Sequence, residues 1–345
     1  MIHGGEIACK YDFSVNLNPM PTPEPVLSAI KRAAGQADRY PDRLQRTFRA
    51  HVCAAENVLA AGAYRPDEEM IIGGNGASEL IFAIVNMLRP QKVLLAVPSF
   101  YGYRHALTHN VEIEEYPLQE ENGFALTKDF IDRIDEQTDQ VILGNPNNPT
   151  GRNIEADVLN EIVEKCAKTG TALLVDECFL RLSTGSVSAR NYLDKCPQLY
   201  VVDAYTKLFS IPGVRVGFAV STKENIDRLR AHLPEWNLSA FATEAGIACA
   251  DILTDTDFVK KSIALIEEER KKMCAALADH NLTVYPSDAN FFLVKSDEDL
   301  YNKLMPYGIQ IRDCAGFAGL GNNYYRIAVK SPGENALFID RMKRL

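Results

Sequence analysis

The sequence predicts an α/β fold: a large domain built on a mostly parallel sheet flanked by helices, plus a small α+β domain made from both termini. Two patterns carry that expectation. Through the middle of the chain, short continuous apolar runs rich in β-branched residues alternate with longer amphipathic stretches, the sign of strands buried on both faces and wrapped by helices. The two ends lack this alternation and mix extended, helical and strand-like segments.

Residues 1–45 hold Pro19, Pro21, Pro23, Pro25 and Pro41 and read as an extended arm with a short helix. Strands are expected at 92–97, 140–143, 171–175, 199–203 and 216–220, with helices at 78–88, 155–168 and 223–233. A long charged amphipathic helix follows at 258–279, then strand-like segments at 290–294 and 324–329 and a last helix near 334–344. The expected organisation is an arm at 1–45 that packs with the small domain, a large domain at 46–254 and a small domain at 255–345. No flexible linker separates the parts, so they are expected to enclose a cleft.

Composition sets outer limits. With 46% hydrophobic residues among 345, the chain can build a large core, which excludes wholesale disorder. The 37 Lys+Arg against 46 Asp+Glu leave a formal charge of −9, the wrong balance for nucleic acid, which needs a dense basic face. No apolar stretch approaches the ~20 residues of a membrane span, and the N-terminal MIHGGEIACK lacks a secretion pattern. A soluble cytoplasmic protein is expected, with neither nucleic acid nor membrane as partner. The eight cysteines include no C-x-x-C pair and are expected to be reduced. His105 and His109 stand at i, i+4, but no glutamate lies between them in the H-E-x-x-H manner and no third ligand is apparent, so no metal is expected.

Four segments carry chemistry. N-P-N-N-P-T-G at 145–151 directly follows an apolar strand and makes a rigid turn, at the strand end where ligands bind in parallel sheets. The next strand ends in Asp176 and Glu177. A carboxylate there serves equally as a helix cap or as the partner of a protonated ring nitrogen, and the residues alone leave both open. In A-Y-T-K-L-F-S-I-P-G-V-R-V-G-F at 204–218, Lys207 stands among apolar neighbours. Its charged form loses solvation there, so its pKa falls and the amine becomes available as a nucleophile. Arg215 can return a guanidinium to an anionic group. Finally, G-G-N-G-A-S-E at 73–79 opens a helix whose free N–H groups form an anion site, although its spacing is neither a P-loop nor a dinucleotide fingerprint.

In this order, with Asp176 28 residues after Asn148, Lys207 31 after Asp176 and Arg215 8 after Lys207, the segments resemble the fold-type I pyridoxal-phosphate enzymes, the class I/II aminotransferase superfamily. The resemblance covers essentially the whole chain and implies an aspartate aminotransferase-like fold with pyridoxal 5′-phosphate as cofactor. It implies that Lys207 bonds the cofactor and later moves protons, and that Asp176 keeps the ring nitrogen protonated so that the ring acts as an electron sink. Asn148 would meet the 3′ oxygen. The backbone of Gly76, Ala77 and Ser78, with Thr206 and Arg215, would cradle the phosphate, and Phe100 would stack on the ring. Tyr40, in R-Y-P-D, is similar to a tyrosine that reaches the phosphate across a dimer interface, which implies a homodimer. Arg326, in Y-Y-R-I-A, matches the family's substrate-carboxylate arginine. One departure stands out: Phe179 occupies the place of a tyrosine that in many relatives also bonds the 3′ oxygen, so tuning of Lys207 would rest more on Asn148.

Within the superfamily the chain is similar to the histidinol-phosphate aminotransferase group and, nearer still, to the threonine-phosphate decarboxylases of cobalamin synthesis. The shared features are an H-G-G start at His3, the arm D-F-S-x-N-x-N-P from Asp12 to Pro19, the acidic pair followed by x-F, and the closing pattern from Arg312 to Val329. The resemblance implies decarboxylation of L-threonine O-3-phosphate, or a close analogue, to an amino-alcohol phosphate. The alternative is a histidinol-phosphate-type aminotransferase passing an amino group to 2-oxoglutarate, and a remote one is a non-catalytic sensor on the same fold. One catalytic set serves both reactions, because the bond that breaks is whichever lies perpendicular to the cofactor ring. The anion pockets that rotate the phosphorylated substrate decide, and Arg312, Arg326, Asn18 and His3 are the candidates to form them.

Overall fold

The computed structural model describes residues 5, 9–60, 63–107, 110–278, 280 and 282–344. His3 and His109, both singled out above, lie outside the described residues. The arm forms a two-residue strand β1 (Tyr11–Asp12) and helix α1 (Glu24–Ala33), which starts with a proline in its first turn, where a missing N–H costs nothing. Next come α2 (Arg46–Ala60), β2 (Ile71–Gly74), α3 (Gly76–Leu88), β3 (Lys92–Val97), α4 (Tyr101–Ala106), β4 (Glu112–Pro117) and β5 (Gln140–Gly144). The middle continues through α5 (Ala156–Thr169), β6 (Ala172–Asp176), β7 (Leu199–Asp203), α6 (Tyr205–Leu208), β8 (Gly217–Val220), α7 (Lys223–Arg230) and α8 (Ala240–Asp255). Last come α9 (Phe258–Ala278), β9 (Thr283–Val284), β10 (Phe291–Lys295), α10 (Leu300–Leu304), β11 (Ile309–Gln310), β12 (Arg312–Asp313), β13 (Tyr324–Ala328) and α11 (Pro332–Met342).

Seven strands form one sheet in the order β2-β8-β7-β6-β5-β3-β4. Strands β3 to β7 run parallel, whereas β8 is antiparallel to both of its neighbours. This is the mostly parallel, helix-flanked sheet that the sequence predicts. Val93, Leu95 and Val97 of β3 enter one apolar core while Leu94 and Ala96 enter the other, and β5, β6 and β7 alternate in the same way. Both faces are buried, so these strands read as unbroken apolar runs. The strands β2 and β4 escape the sequence reading. The first is only I-I-G-G, and the second, E-I-E-E-Y-P, is a half-exposed edge whose charges blunt unwanted pairing.

A second sheet, β12-β13-β10-β9, is antiparallel throughout. Its core takes in Phe13 of the arm beside Phe292, Ile327 and Phe338, and β1 pairs in parallel with β11. Among the described residues no helix is long and apolar enough to cross a membrane, and the eight cysteines are free thiols.

Glu120, in the loop after β4, ties the two sheets together. Its carboxylate accepts from Tyr285, from Lys295 Nζ at 2.9 Å and from the Tyr324 hydroxyl at 2.8 Å. These donors hold its pKa down to about 2, from an ordinary 4.5. A depressed carboxylate stabilises the fold above its ordinary pKa and loses that contribution as pH falls through the depressed one. Glu120→Gln is therefore expected to lower the melting temperature at neutral pH, and the gap from the parent should close between pH 4.5 and about 2. Melts across that interval check this, and a gap independent of pH would contradict it.

Candidate active site

The C-terminal ends of β3, β5, β6 and β7, where open α/β sheets bind ligands, meet at one cavity of about 240 Å³. Of the residues expected from the sequence, Ala77, Ser78, Phe100, Asn148, Asp176, Thr206, Lys207, Arg215, Arg312 and Arg326 all line it. Their places in the chain span from residue 77 to 326, and only the sheet's crossovers bring them together.

Lys207 lies in α6, directly after β7, and Asp176 ends the neighbouring β6. Burial pushes the Lys207 pKa down, because an ammonium leaving water loses solvation. Arg326 and Arg215 add to that effect, while Cys178 and Asp176 oppose it. Burial acts in the opposite sense on Asp176 and pushes its carboxyl up. The Tyr103 hydroxyl donates to one Asp176 oxygen at 3.0 Å and the Cys178 amide to the other at 3.0 Å, fixing the orientation of the carboxylate.

The three asparagines of N-P-N-N-P-T-G divide their work. Asn145 accepts from the Ile154 amide at 3.0 Å and donates to the Val187 carbonyl at 3.0 Å, and Asn147 donates to the Pro98 carbonyl at 2.9 Å. Both therefore hold the loop. Asn148 alone faces the cavity, where its side-chain oxygen accepts from Arg326 Nη1.

The start of α3 is an anion cradle. Its Asn75 cap spends Nδ2 on Glu79 Oε1 at 3.0 Å and accepts nothing from the first turn with its side-chain oxygen, so the first N–H groups remain available. Arg215 crosses this end and donates to the Pro212 carbonyl at 3.1 Å and the Asn75 carbonyl at 3.5 Å. Gly76 has φ +74°, and a Cβ there would lie 2.8 Å from Arg215 Nη2. Gly217 on β8 runs so close beneath that a Cβ would meet the Asp203 carbonyl at 2.7 Å and the Ala77 nitrogen at 3.0 Å. The glycines let guanidinium, helix end and strand converge.

Arg312 and Arg326 are direct cross-strand neighbours on β12 and β13. Like charges so placed repel unless an anion lies between them. Arg326 is buried, and desolvation brings its pKa down to about 10. Its Nη2 donates to the Ser14 carbonyl at 2.7 Å, while its Nε has no hydrogen-bond partner among the described residues. Phe179 also lines the cavity and packs edge-on against Phe291 at 4.9 Å, under Arg326.

Asn18 requires a correction. The sequence places it among the substrate contacts, but it is not on the cavity wall, and its Nδ2 is spent on the Leu208 carbonyl and Ser262 Oγ, each at 2.8 Å. Asn16, two residues earlier, lines the cavity instead, with a buried side-chain oxygen that has no partner among the described residues. The arm motif contains both asparagines, and spacing does not say which one turns inward. Tyr103 was also missed, although its position three residues after Phe100 on a helix was a usable signal. Tyr40 lies off this chain's own cavity wall, 82% exposed and tilted against Trp236 at 4.9 Å.

Five buried charges anchor the strand ends that carry Asp176 and Lys207. Arg190 binds Glu177 at 3.3 Å and Asp203 at 2.7 Å, and Arg181 binds Asp203 at 2.8 Å and also Glu56. Burial pushes Glu177 up to about 7.

A parallel-centred sheet with a desolvated lysine after one strand and an oriented carboxylate at the end of the next defines a class. The chain belongs to the aminotransferase class I and II family, whose model matches residues 9–342. It is 31% identical to the threonine-phosphate decarboxylase of Salmonella typhimurium over 343 residues, covering 97% of this chain and 90% of that protein. It is 30% identical to a histidinol-phosphate aminotransferase of Methanococcus maripaludis over 290 residues, covering 81% and 76%. The crystal structure of the histidinol-phosphate aminotransferase from Clostridium acetobutylicum superposes with a TM-score of 0.86 at 29% identity, over 97% of this chain and 98% of that one.

Two outcomes follow from this geometry. Gly76→Ala is expected to destabilise the fold by roughly 1–2 kcal/mol, since a Cβ in the left-handed region costs that much and presses on Arg215; urea unfolding measures it. Arg190→Met strands buried carboxylates and is expected to cost about 3–5 kcal/mol, read as a shift in urea unfolding.

Proposed function

We propose that this chain is a pyridoxal 5′-phosphate-dependent enzyme that decarboxylates L-threonine O-3-phosphate, or a close analogue, to an amino-alcohol phosphate, working as a cytoplasmic homodimer. The observation that carries the reading is the charge of the cavity: Lys207, Arg215, Arg312 and Arg326 surround the single carboxylate of Asp176. One basic site lies at the start of α3 and another is the cross-strand pair of arginines. That arrangement suits a cofactor phosphate and a substrate with two anionic groups. The similarity to the Salmonella decarboxylase along 97% of the chain supports the same substrate class.

The residues fit the cofactor. A lysine held toward its neutral form, a carboxylate fixed by two donors, a glycine-lined helix end and an unpartnered Asn16 oxygen leave polar groups that a ligand would satisfy. Bound pyridoxal phosphate supplies an aldehyde that captures an amine and a ring that withdraws electrons from the substrate's α-carbon. Lys207 Nζ provides the amine and later moves protons at that carbon. Asp176 would hold a proton at the ring nitrogen, Phe100 would cover the ring face, Asn148 would meet the 3′ oxygen, and Gly76, Ala77, Ser78, Thr206 and Arg215 would bind the phosphate. Arg326 and Arg312 hold the substrate's carboxylate and phosphate, with Asn16 accepting from the substrate. Decarboxylation would release the carboxylate as carbon dioxide, and Lys207 would return one proton to the same carbon.

Tyr40, exposed beside Trp236, would serve a partner subunit's phosphate site in the homodimer. The arm's Phe13 belongs to the C-terminal core, which supports dividing the chain into an arm at 1–45, a large domain at 46–254 and a small domain at 255–345. The second reading is a histidinol-phosphate-type aminotransferase, favoured by the similarity to the Methanococcus and Clostridium proteins.

The purified protein loaded with pyridoxal phosphate is expected to show a visible absorption band that borohydride removes and that Lys207→Ala lacks. A colourless protein that does not bind the cofactor overturns the reading and leaves the sensor. Carbon dioxide release from threonine phosphate without a keto acid supports decarboxylation. Glutamate formed from histidinol phosphate and 2-oxoglutarate supports the transferase instead.

A further inference from the structure

We propose that Asn18 is a positioning residue for Lys207, capping the short helix that carries it; the inference rests on the reading of Lys207 as the reacting amine. Helix α6 has four residues, too few to hold a helical conformation by themselves in water, and the carbonyls of a last turn lack partners inside the helix. Asn18 supplies partners for two of them. Its backbone N–H donates to the Lys207 carbonyl at 3.0 Å and its Nδ2 to the Leu208 carbonyl at 2.8 Å. The other Nδ2 hydrogen reaches Ser262 Oγ on α9 at 2.8 Å, and Oδ1 accepts from the Met20 amide at 3.0 Å. Ser210 Oγ closes the turn by donating to the Asn18 carbonyl at 2.9 Å.

Every polar group of Asn18 is therefore engaged, and its backbone N–H and Nδ2 join the arm to the backbone of Lys207 and Leu208. A few residues upstream, the same arm lines the cavity through Ser14, Val15 and Asn16 and is bonded to Arg326 at the Ser14 carbonyl, 2.7 Å. One stretch of extended chain thus links the arginine pair on the second sheet to the backbone that aims Lys207. The amine is faced by Asp176 at the end of β6 and Cys178 two residues beyond it, by Arg326 from β13 and by Arg215 beyond α6. Their charges act in opposite senses, so tilting α6 changes the pH at which the amine takes its proton.

The test uses the full-length protein loaded with pyridoxal phosphate. Asn18→Asp keeps the shape but sets a carboxylate against the Leu208 carbonyl, and Asn18→Ala removes the cap without adding charge. Ser262→Ala deletes the other Nδ2 partner and leaves the cap in place. Ser210→Ala loosens the seam while keeping the asparagine, which covers the case in which the Asn18 variants do not fold. Both Asn18 variants are expected to move the titration midpoint of the visible band by at least about half a pH unit, and to lower kcat about tenfold or more with KM within about twofold. Ser210→Ala should shift the midpoint in the same direction by less, and Ser262→Ala should lower the melting temperature but titrate like the parent. Unmoved midpoints and kcat in the Asn18 and Ser210 variants, or an equal shift in Ser262→Ala, overturn the inference. A parent protein without a band overturns the cofactor reading instead.

Discussion

The guanidinium of Arg190, bound to Glu177 and Asp203 in the interior, is the contact on which the geometry of the site depends. Glu177 directly follows Asp176, and Asp203 ends the strand that leads to Lys207. Arg190 therefore joins the ends of the two strands that carry the central acid and the central amine. Arg181 extends the cluster to Glu56 on α2, where the Tyr64 hydroxyl also donates. Burying charges costs several kcal/mol each unless every one is paired. Here three carboxylates face two guanidiniums, and burial has moved one of the three, Glu177, up to about 7, so a proton can balance the surplus. A cluster so tightly shared leaves the strand ends little freedom to slide.

On that base the cavity concentrates positive charge within a chain of net charge −9. The helix start, Arg215 and the arginine pair all present donors to the same space, and the acidic exterior does not neutralise them. Net charge describes the protein's long-range behaviour, whereas the local field inside a cleft is set by the few groups that line it. The close approach of Gly76 and Gly217 to their neighbours shows how little room the cradle leaves for any side chain.

The large sheet was legible in the sequence because strands buried on both faces leave long apolar runs. The edge strand β4, half exposed and acidic, and the short glycine-bearing β2 left no such trace. The lysine, the carboxylate and the glycine-rich helix start were legible for a similar reason: each combines an unusual residue with an apolar strand end. The arm was harder to read. Asn16 and Asn18 share one motif, yet one faces the cavity with an oxygen unpartnered among the described residues and the other donates to the backbone of Lys207 and Leu208 and the hydroxyl of Ser262. Tyr103 is an ordinary helical tyrosine until the fold sets its hydroxyl 3.0 Å from Asp176.

By itself, the amino-acid sequence determined the layered α/β architecture, the family and most of the polar groups that line the cavity, because periodicity and residue type are local properties of the chain. Only the tertiary structure decided which groups meet. It set Arg312 opposite Arg326 by strand register, brought the Tyr103 hydroxyl to Asp176, and turned Asn18 away from the cavity toward the lysine's backbone. Those choices depend on contacts between segments as far apart as Ser14 and Arg326, and such contacts exist only once the apolar cores have closed and every buried polar group has had to find a partner.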